Sequence, residues 1–314
     1  MFRNLLVDVT GNSHRAEFCV DKLFPPEGMG LRLGLLELRA FEMTPHIRMG
    51  LATSLLIRAL IATFWKQPYE GALIRWGTDL HDRFMLPNFV RRDFEQVLAR
   101  LHAAGYSFDE KWFAAQVDFR FPKIGSIAVE GVELELRHAL EPWNVLAEET
   151  TSGGTVRTVD SSLQRMQVKV SGFTAESRFV VACNGRRVPL QPTGVPGEFV
   201  AGVRYRARQL AATLHPTIPV HAPLVFDMID RWKERSVSRC IYHVTPPGGR
   251  VYTSRPADAA EARQRRTERF ETVAAPGAMA VPADETNAVF PMTLDLRVPA
   301  PASATPGERP RLVP

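Results

Sequence analysis

Two short stretches, LELRAF at residues 36–41 and LELRHAL at residues 134–140, each place a glutamate and an arginine two positions apart between leucines. Successive side chains of a β-strand point to opposite faces, so Glu37 and Arg39 project together while Leu36 and Leu38 turn toward the core. The stretch HRAEFCVD at residues 14–21 alternates in the same way, with Arg15, Glu17, Cys19 and Asp21 on one face and His14, Ala16, Phe18 and Val20 on the other. Strands of this kind need a sheet with one apolar and one charged face. Laid side by side, two of them gather carboxylates and guanidiniums on one open surface.

The plain reading of such a surface is a wet sheet face whose Glu–Arg pairs across strands contribute about 0.2–1 kcal/mol each. The alternative is a ligand site. Carboxylate oxygens are the hard donors that Mg²⁺ prefers, and the planar fork of arginine matches phosphate or carboxylate oxygens, a set suited to a nucleoside triphosphate.

Along the chain, residues 1–150 alternate strand patterns (4–9, 14–21, 34–42, 72–77, 117–121, 132–137) with helical spacing near 47–65, 91–104 and 109–116. In NFVRRDFEQVLARLHAAG apolar residues recur at threes and fours, and Gly105 ends the run. From Gly154 to about Val244 the pattern is strand-rich, and Asn184-Gly185 sits between two β-patterned runs as a two-residue hairpin turn requires. Pro216, Pro219 and Pro223 imply an extended connector. An arginine-rich helix follows at 258–272, and the Ala/Pro-rich tail 299–314 has the composition of a disordered segment. The expected class is α+β: an antiparallel sheet with packed helices over 1–150, then a β-rich accessory domain with a late helix over 151–298.

Composition excludes several functions. A net charge of +5 from 39 basic and 34 acidic residues suits anionic ligands without indicating nucleic acid. The basic helix EARQRRTERF also carries Glu261 and Glu268 and reads as a solvated face. Cys19, Cys183 and Cys240 form no CxxC pair and are odd in number, which fits a reducing cytoplasm. The N-terminus lacks the apolar run of a secretory signal. HIRMGLATSLLIRALIATFWKQ is interrupted by Arg48, Thr53, Ser54 and Arg58, so a core helix is expected there and not a membrane span. No phosphate-binding glycine loop occurs between a strand and a helix. His215, His221 and Asp227 lack helical spacing and read as structural; neither Cys19 nor Cys183 starts a helix, which speaks against a thiol nucleophile.

The ordered series RNLLVDVTGNSHRAEFCVDKLFPPEG, LGLLELRAFEMTPHIRM, RALIATFWKQPY, IRWGTDLHDRFMLPNFV, LELRHALEPWNVLAEE, GGTVRTVDSSLQRMQVKV, CNGRRVPLQPTG, HPTIPVHAPLVFDMID and YHVTPPGGR resembles the amidoligase domain fused to bacterial transglutaminase-like proteins, over nearly the whole chain to about residue 270. The resemblance implies a fold related to glutamate-cysteine ligase and glutamine synthetase, in which an antiparallel sheet forms a funnel for ATP and divalent metal. It implies a carbon–nitrogen ligase: ATP converts a substrate carboxylate, of a small molecule or a peptide, into an acyl phosphate, and an amine displaces phosphate to leave an amide.

In the related ligases an E-x-R strand contributes to the nucleotide or acid site, and the pattern falls here on Glu37/Arg39 and on Glu135/Arg137. The resemblance points to Glu17, Glu37, Glu42 and Asp21 as Mg²⁺ ligands and to Arg15, Arg39 and Arg83 as holders of phosphate or carboxylate. His14 is the group that orients a carboxylate or an amine, and Asp79 and His81, placed together by alternation with Asp82 turned away, are further nucleotide contacts. In the family this stretch is the C-terminal part of a longer domain that follows a transglutaminase-like module. A truncated product, a fragment that pairs with a separately encoded half, and a misplaced start all fit. The competing expectation is a catalytically silent β-rich module that docks a protease-like or ligase partner; nucleic-acid binding comes third.

Overall fold

A computed structural model describes residues 18–19, 34–151, 154–174, 178–211, 213–249, 252–285 and 287–300. The strand patterns expected at 4–9 and over most of 14–21, and the tail from 301 on, lie outside the described residues. The chain divides after Pro68 into two compact units.

In the first unit β1 (Phe18–Cys19) pairs antiparallel with β2 (Glu37–Leu38), Cys19 opposite Glu37. The two alternating segments are therefore neighbours. α1 (Ile47–Lys66) follows, its start capped by His46, whose Nδ1 accepts from the Arg48 amide at 3.2 Å. The expectation of a helix buried in a core is not met among the described residues. Only Met49, Ala52, Ala59 and Thr63 are buried, while Ile47, Leu51 and Trp65 are exposed. Most of the large apolar side chains of this helix, Leu55, Ile61 and Phe64 among them, are exposed as well. By length and composition alone it is apolar enough to cross a membrane.

The second unit is mixed α/β with far more strand than helix. A π-helical turn (Leu80–Phe84), α2 (Pro87–Ala103), a 3₁₀ turn (Glu110–Phe113) and α3 (Ala114–Arg120) precede the strands. These are β3 (Lys123–Val129), β4 (Val132–Ala139), β5 (Asn144–Thr151), β6 (Gly154–Asp160), β7 (Leu163–Ser171), β8 (Phe179–Cys183), β9 (Arg186–Arg187), β10 (Gln191–Pro192), β11 (Glu198–Arg206), β12 (Leu224–Asp230), β13 (Arg235–Tyr242), β14 (Phe270–Ala278) and β15 (Thr293–Asp295), with α4 (Ala259–Thr267) before β14.

One sheet runs β10-β11-β7-β4-β3, with β15 added parallel to β11; the other runs β14-β13-β12-β8-β9. Leu134, Leu136, Met166, Val168 and Val170 from the first sheet share one apolar core with Val181, Phe226, Met228 and Cys240 from the second. The unit is thus a two-sheet sandwich. Residue 150, where the composition changes, lies in the separate β5–β6 ribbon, and the first sheet takes strands from both sides of it. The Asn184-Gly185 turn joins β8 to β9 with φ of 48° and 78°, the left-handed geometry that this pair tolerates.

Two expected strands are absent. Residues 72–76 have no regular structure, Leu73 and Ile74 are exposed, and Trp76 instead stacks on Phe84 at 4.6 Å. Residues 117–120 continue α3; five residues of alternation are too few to outweigh the helical turn begun at Asp109, whose side chain accepts from the Lys111 amide.

A buried polar knot joins distant parts of this unit. Arg165 of β7, 1% exposed, donates to the carbonyls of His81 and Asp82 and to Thr293 Oγ1, and the Asp82 carboxylate accepts from Thr293 Oγ1 and the Met292 amide. A Cβ at Gly202 would sit 2.5 Å from Arg165 Nε, so glycine leaves the guanidinium its space. Burial, then the Arg204 charge, lower this guanidinium to about 10.

Removing one member leaves the buried hydrogen-bonding groups it satisfied without partners, a loss of about 1–3 kcal/mol. Asp82→Ala and Arg165→Leu should each lower the urea midpoint accordingly, and a loss below about 1 kcal/mol in both would show the knot to be unimportant. Asp230 is buried against Arg178, whose hydrogen bond does most to hold the carboxyl down at about 2, against an ordinary 3.8. A depressed carboxyl stabilises fully above its unfolded pKa and less as pH falls toward its folded one. The difference in urea midpoint between wild type and Asp230→Asn should therefore hold steady above about pH 4 and close between about pH 4 and 2.

A candidate substrate cleft on the charged sheet face

Alternation gives β4 and β7 one face each toward the core and one outward. The outward residues pair across the strands as Glu133 with Ser171, Glu135 with Lys169 and Arg137 with Gln167. They form the floor of a cleft of about 400 Å³. Its roof comes from the first turns of α2 (Asn88, Arg91, Phe94) and from Glu110, Phe113, Val117 and Asp118.

Specific contacts hold the roof in place. Gln167 Oε1 accepts from the Asn88 amide at 2.9 Å, which satisfies a donor at the start of α2 that no helix carbonyl reaches. Phe94 meets Phe113 edge-on at 4.9 Å, and Arg91 binds Glu110 at 2.7 Å. Arg137 donates to the Phe121 carbonyl at 2.8 Å and reaches Asp118 at 3.3 Å, tying the end of α3 to β4.

The floor is electrostatically paired. Glu135 lies 2.9 Å from Lys123 and 3.1 Å from Arg137, and Lys169 lies 2.9 Å from Glu198. Burial alone raises the Glu135 carboxyl, but hydrogen bonds and charge from Lys123 and Arg137 more than offset it and hold it below the ordinary value. Asn88 Nδ2 is buried with no hydrogen-bond acceptor. On the core side of the same strand His138 packs against Tyr242 and is lowered to about 4, first by burial and then by Arg269.

The expected site residues are distributed as follows. Glu135 and Arg137 stand together in the cleft. Glu37 and Arg39 belong to the first unit and bind each other at 3.0 Å; Glu42 in the same unit is exposed. Asp79 and Arg83 form an exposed pair at 3.2 Å across the π-helical turn, and His81 contributes its backbone carbonyl to Arg165. The segment is helical, so strand alternation does not apply, and Asp82 is its buried carboxylate. His14, Arg15, Glu17 and Asp21 lie outside the described residues. Cys183 is buried with its thiol raised by burial.

Sequence reading missed Glu133, Gln167, Lys169, Asn88 and the aromatic roof. The first three were reachable by extending the alternation of VELELRH and RMQVKV. The roof depends on long-range packing and leaves no local signal.

Residues 1–297 match the family described as "Putative amidoligase enzyme (DUF2126)". The chain belongs to that amidoligase family. No curated protein and no solved structure matches it. Among the described residues of this amidoligase-family chain, no group of three His, Cys, Asp or Glu side chains is placed to hold a metal. Mg²⁺ wants several oxygen ligands; of the expected ones Glu17 and Asp21 lie outside the described residues, and the carboxylates of the cleft are held by lysine and arginine.

The Gln167 contact is testable by itself. Gln167→Leu leaves the Asn88 amide facing hydrocarbon, at a cost of about 1–3 kcal/mol. Hydrogen exchange at Asn88 should accelerate while amides in β12 keep their protection; unchanged exchange at Asn88 contradicts the capping role.

Proposed function

We propose that this chain works in ATP- and Mg²⁺-dependent joining of a carboxylate to an amine, with the β4–β7 cleft holding a substrate. The observation that carries the reading is the position of the second Glu-Leu-Arg: in a chain of the amidoligase family, Glu135 and Arg137 line the floor of a cleft beside Lys169. Arginine's fork and the lysine ammonium suit a substrate carboxylate, and the glutamates suit an amine.

In this proposal bound ATP would supply the activation of the carboxyl group. Nucleotide contacts fall to Arg39, Arg15, Asp79 and His81, with Arg83 and His14 as substrate holders and Glu17, Asp21, Glu37 and Glu42 on the metal side. Those roles rest on the resemblance. A glutamine synthetase-like arrangement, a cytoplasmic setting and a partner carrying the remainder of a larger transglutaminase-associated enzyme belong to the same proposal.

One observation favours a second reading. The cleft's ionic side chains are extensively paired with one another, which suits a binding module without catalysis.

Trapping separates the two. Incubation with ATP, Mg²⁺, L-glutamate and hydroxylamine should give ATP-dependent hydroxamate, lost in Glu37→Ala and Arg39→Ala at unchanged thermal midpoint. Removing one charge-assisted contact should also weaken ATP–Mg²⁺ binding by about 10- to 100-fold in calorimetry. A folded chain that neither binds ATP–Mg²⁺ nor forms hydroxamate is a binding module.

A further inference from the structure

The lining of the cleft carries four carboxylates (Glu110, Asp118, Glu133, Glu135) against three cations (Arg91, Arg137, Lys169). Lys123, which bridges Glu133 and Glu135 at the edge of the cleft, brings the two signs into balance, so a triphosphate entering without metal finds no net positive field. A ligand with one charge of each sign needs no such field. The roof adds Phe94, Phe113 and Val117, which suit an apolar side chain. The buried Nδ2 of Asn88, with no acceptor, adds a donor that a ligand oxygen can satisfy.

We propose that this cleft binds a zwitterionic α-amino acid or a short peptide with free ends: its carboxylate to Arg137, Lys169 and Asn88, its ammonium to Glu133 and Glu135, and its apolar side chain beneath Phe94 and Phe113. The ligand trades places with ion pairs already present. Lys123 spans Glu133 and Glu135 at 3.7 and 2.9 Å; Lys123 and Glu133 are exposed and Glu135 half-buried, and an exposed pair of this kind is worth about 0–1 kcal/mol, so an incoming ammonium takes the place of the Lys123 ammonium on Glu133 at little cost. A volume near 400 Å³ is at the lower end of ligand pockets, suited to a molecule of one to a few residues. The inference rests on the ligase reading only for the ligand's role as substrate, since binding itself needs no nucleotide.

The test is calorimetry of the full chain without ATP, using L-leucine, leucyl-leucine, N-acetyl-leucine, leucinamide and ATP–Mg²⁺ as probes. Leucine or leucyl-leucine should bind, and blocking either charged end should weaken binding at least about 10-fold, the scale of one charge-assisted hydrogen bond. Tighter binding of the dipeptide identifies a peptide site, and of the free amino acid an amino-acid site. Lys169→Met and Glu133→Gln should each weaken the zwitterion similarly at unchanged thermal midpoint. Asn88→Ala should weaken the carboxylate-bearing probes and spare leucinamide. The proposal is overturned if no zwitterion binds the folded wild type, if capped and free probes bind equally, or if ATP–Mg²⁺ competes for the cleft. Hydroxamate formation from L-glutamate without binding of leucine or leucyl-leucine overturns this inference alone; leucine binding with no ATP-dependent hydroxamate from either leucine or L-glutamate overturns the ligase reading alone.

Discussion

The outward face of β7 organises the second unit. Arg165, Gln167, Lys169 and Ser171 stand on it at every second position, and each does something different. Arg165 grips the backbone at residues 81–82 and ties it to Thr293. Gln167 caps α2 at Asn88, only six residues beyond Asp82, so the helix has no choice but to start over the sheet. Lys169 and Ser171 then lie under the helix without touching its backbone, and the space between becomes the cleft. A one-residue slip of β7 would bury Lys169 in the sandwich and expose Met166, Val168 and Val170, so the apolar core fixes the register on which the cleft depends.

The two ends of that face differ in electrostatic character. At Arg165 the charge is fully enclosed, its partners are mainly backbone carbonyls and Thr293, and nothing in solvent can replace them. At Lys169 the ammonium is about a quarter exposed and paired with an equally exposed glutamate. Buried polar groups with a single set of partners specify structure, whereas half-exposed pairs exchange partners cheaply. The gradient along one strand thus runs from a fixed anchor to a surface able to accept a ligand, with Gln167 between them.

What the sequence disclosed follows the range of the forces involved. The alternation in VELELRH and RMQVKV, and the Asn184-Gly185 turn, are consequences of backbone geometry within a few residues and were legible. The 72–77 and 117–121 stretches alternate as well, but no strand among the described residues pairs with them; one runs irregularly past the Trp76–Phe84 contact and the other completes a helix. Alternation turns Asp82 away from a site, and its burial against Met292 and Thr293, 210 and 211 residues further on, has no local trace. The same is true of the roof: Phe94 and Phe113 look like any apolar helix positions until packing brings them over the charged strands.

The two Glu-Leu-Arg stretches sharpen that distinction. In both, the arginine Nε donates to the glutamate two residues back, at 3.0 Å in the first unit and 3.1 Å in the second. The local geometry is the same because a strand places i and i+2 side by side whatever surrounds them. What gives Glu135 and Arg137 a chemistry beyond that pair is enclosure: Lys123 and Lys169 beside them, the end of α3 bound to Arg137, and an aromatic layer above. A repeated motif marks a repeated strand face; it becomes a site only where a second layer of the fold closes over it.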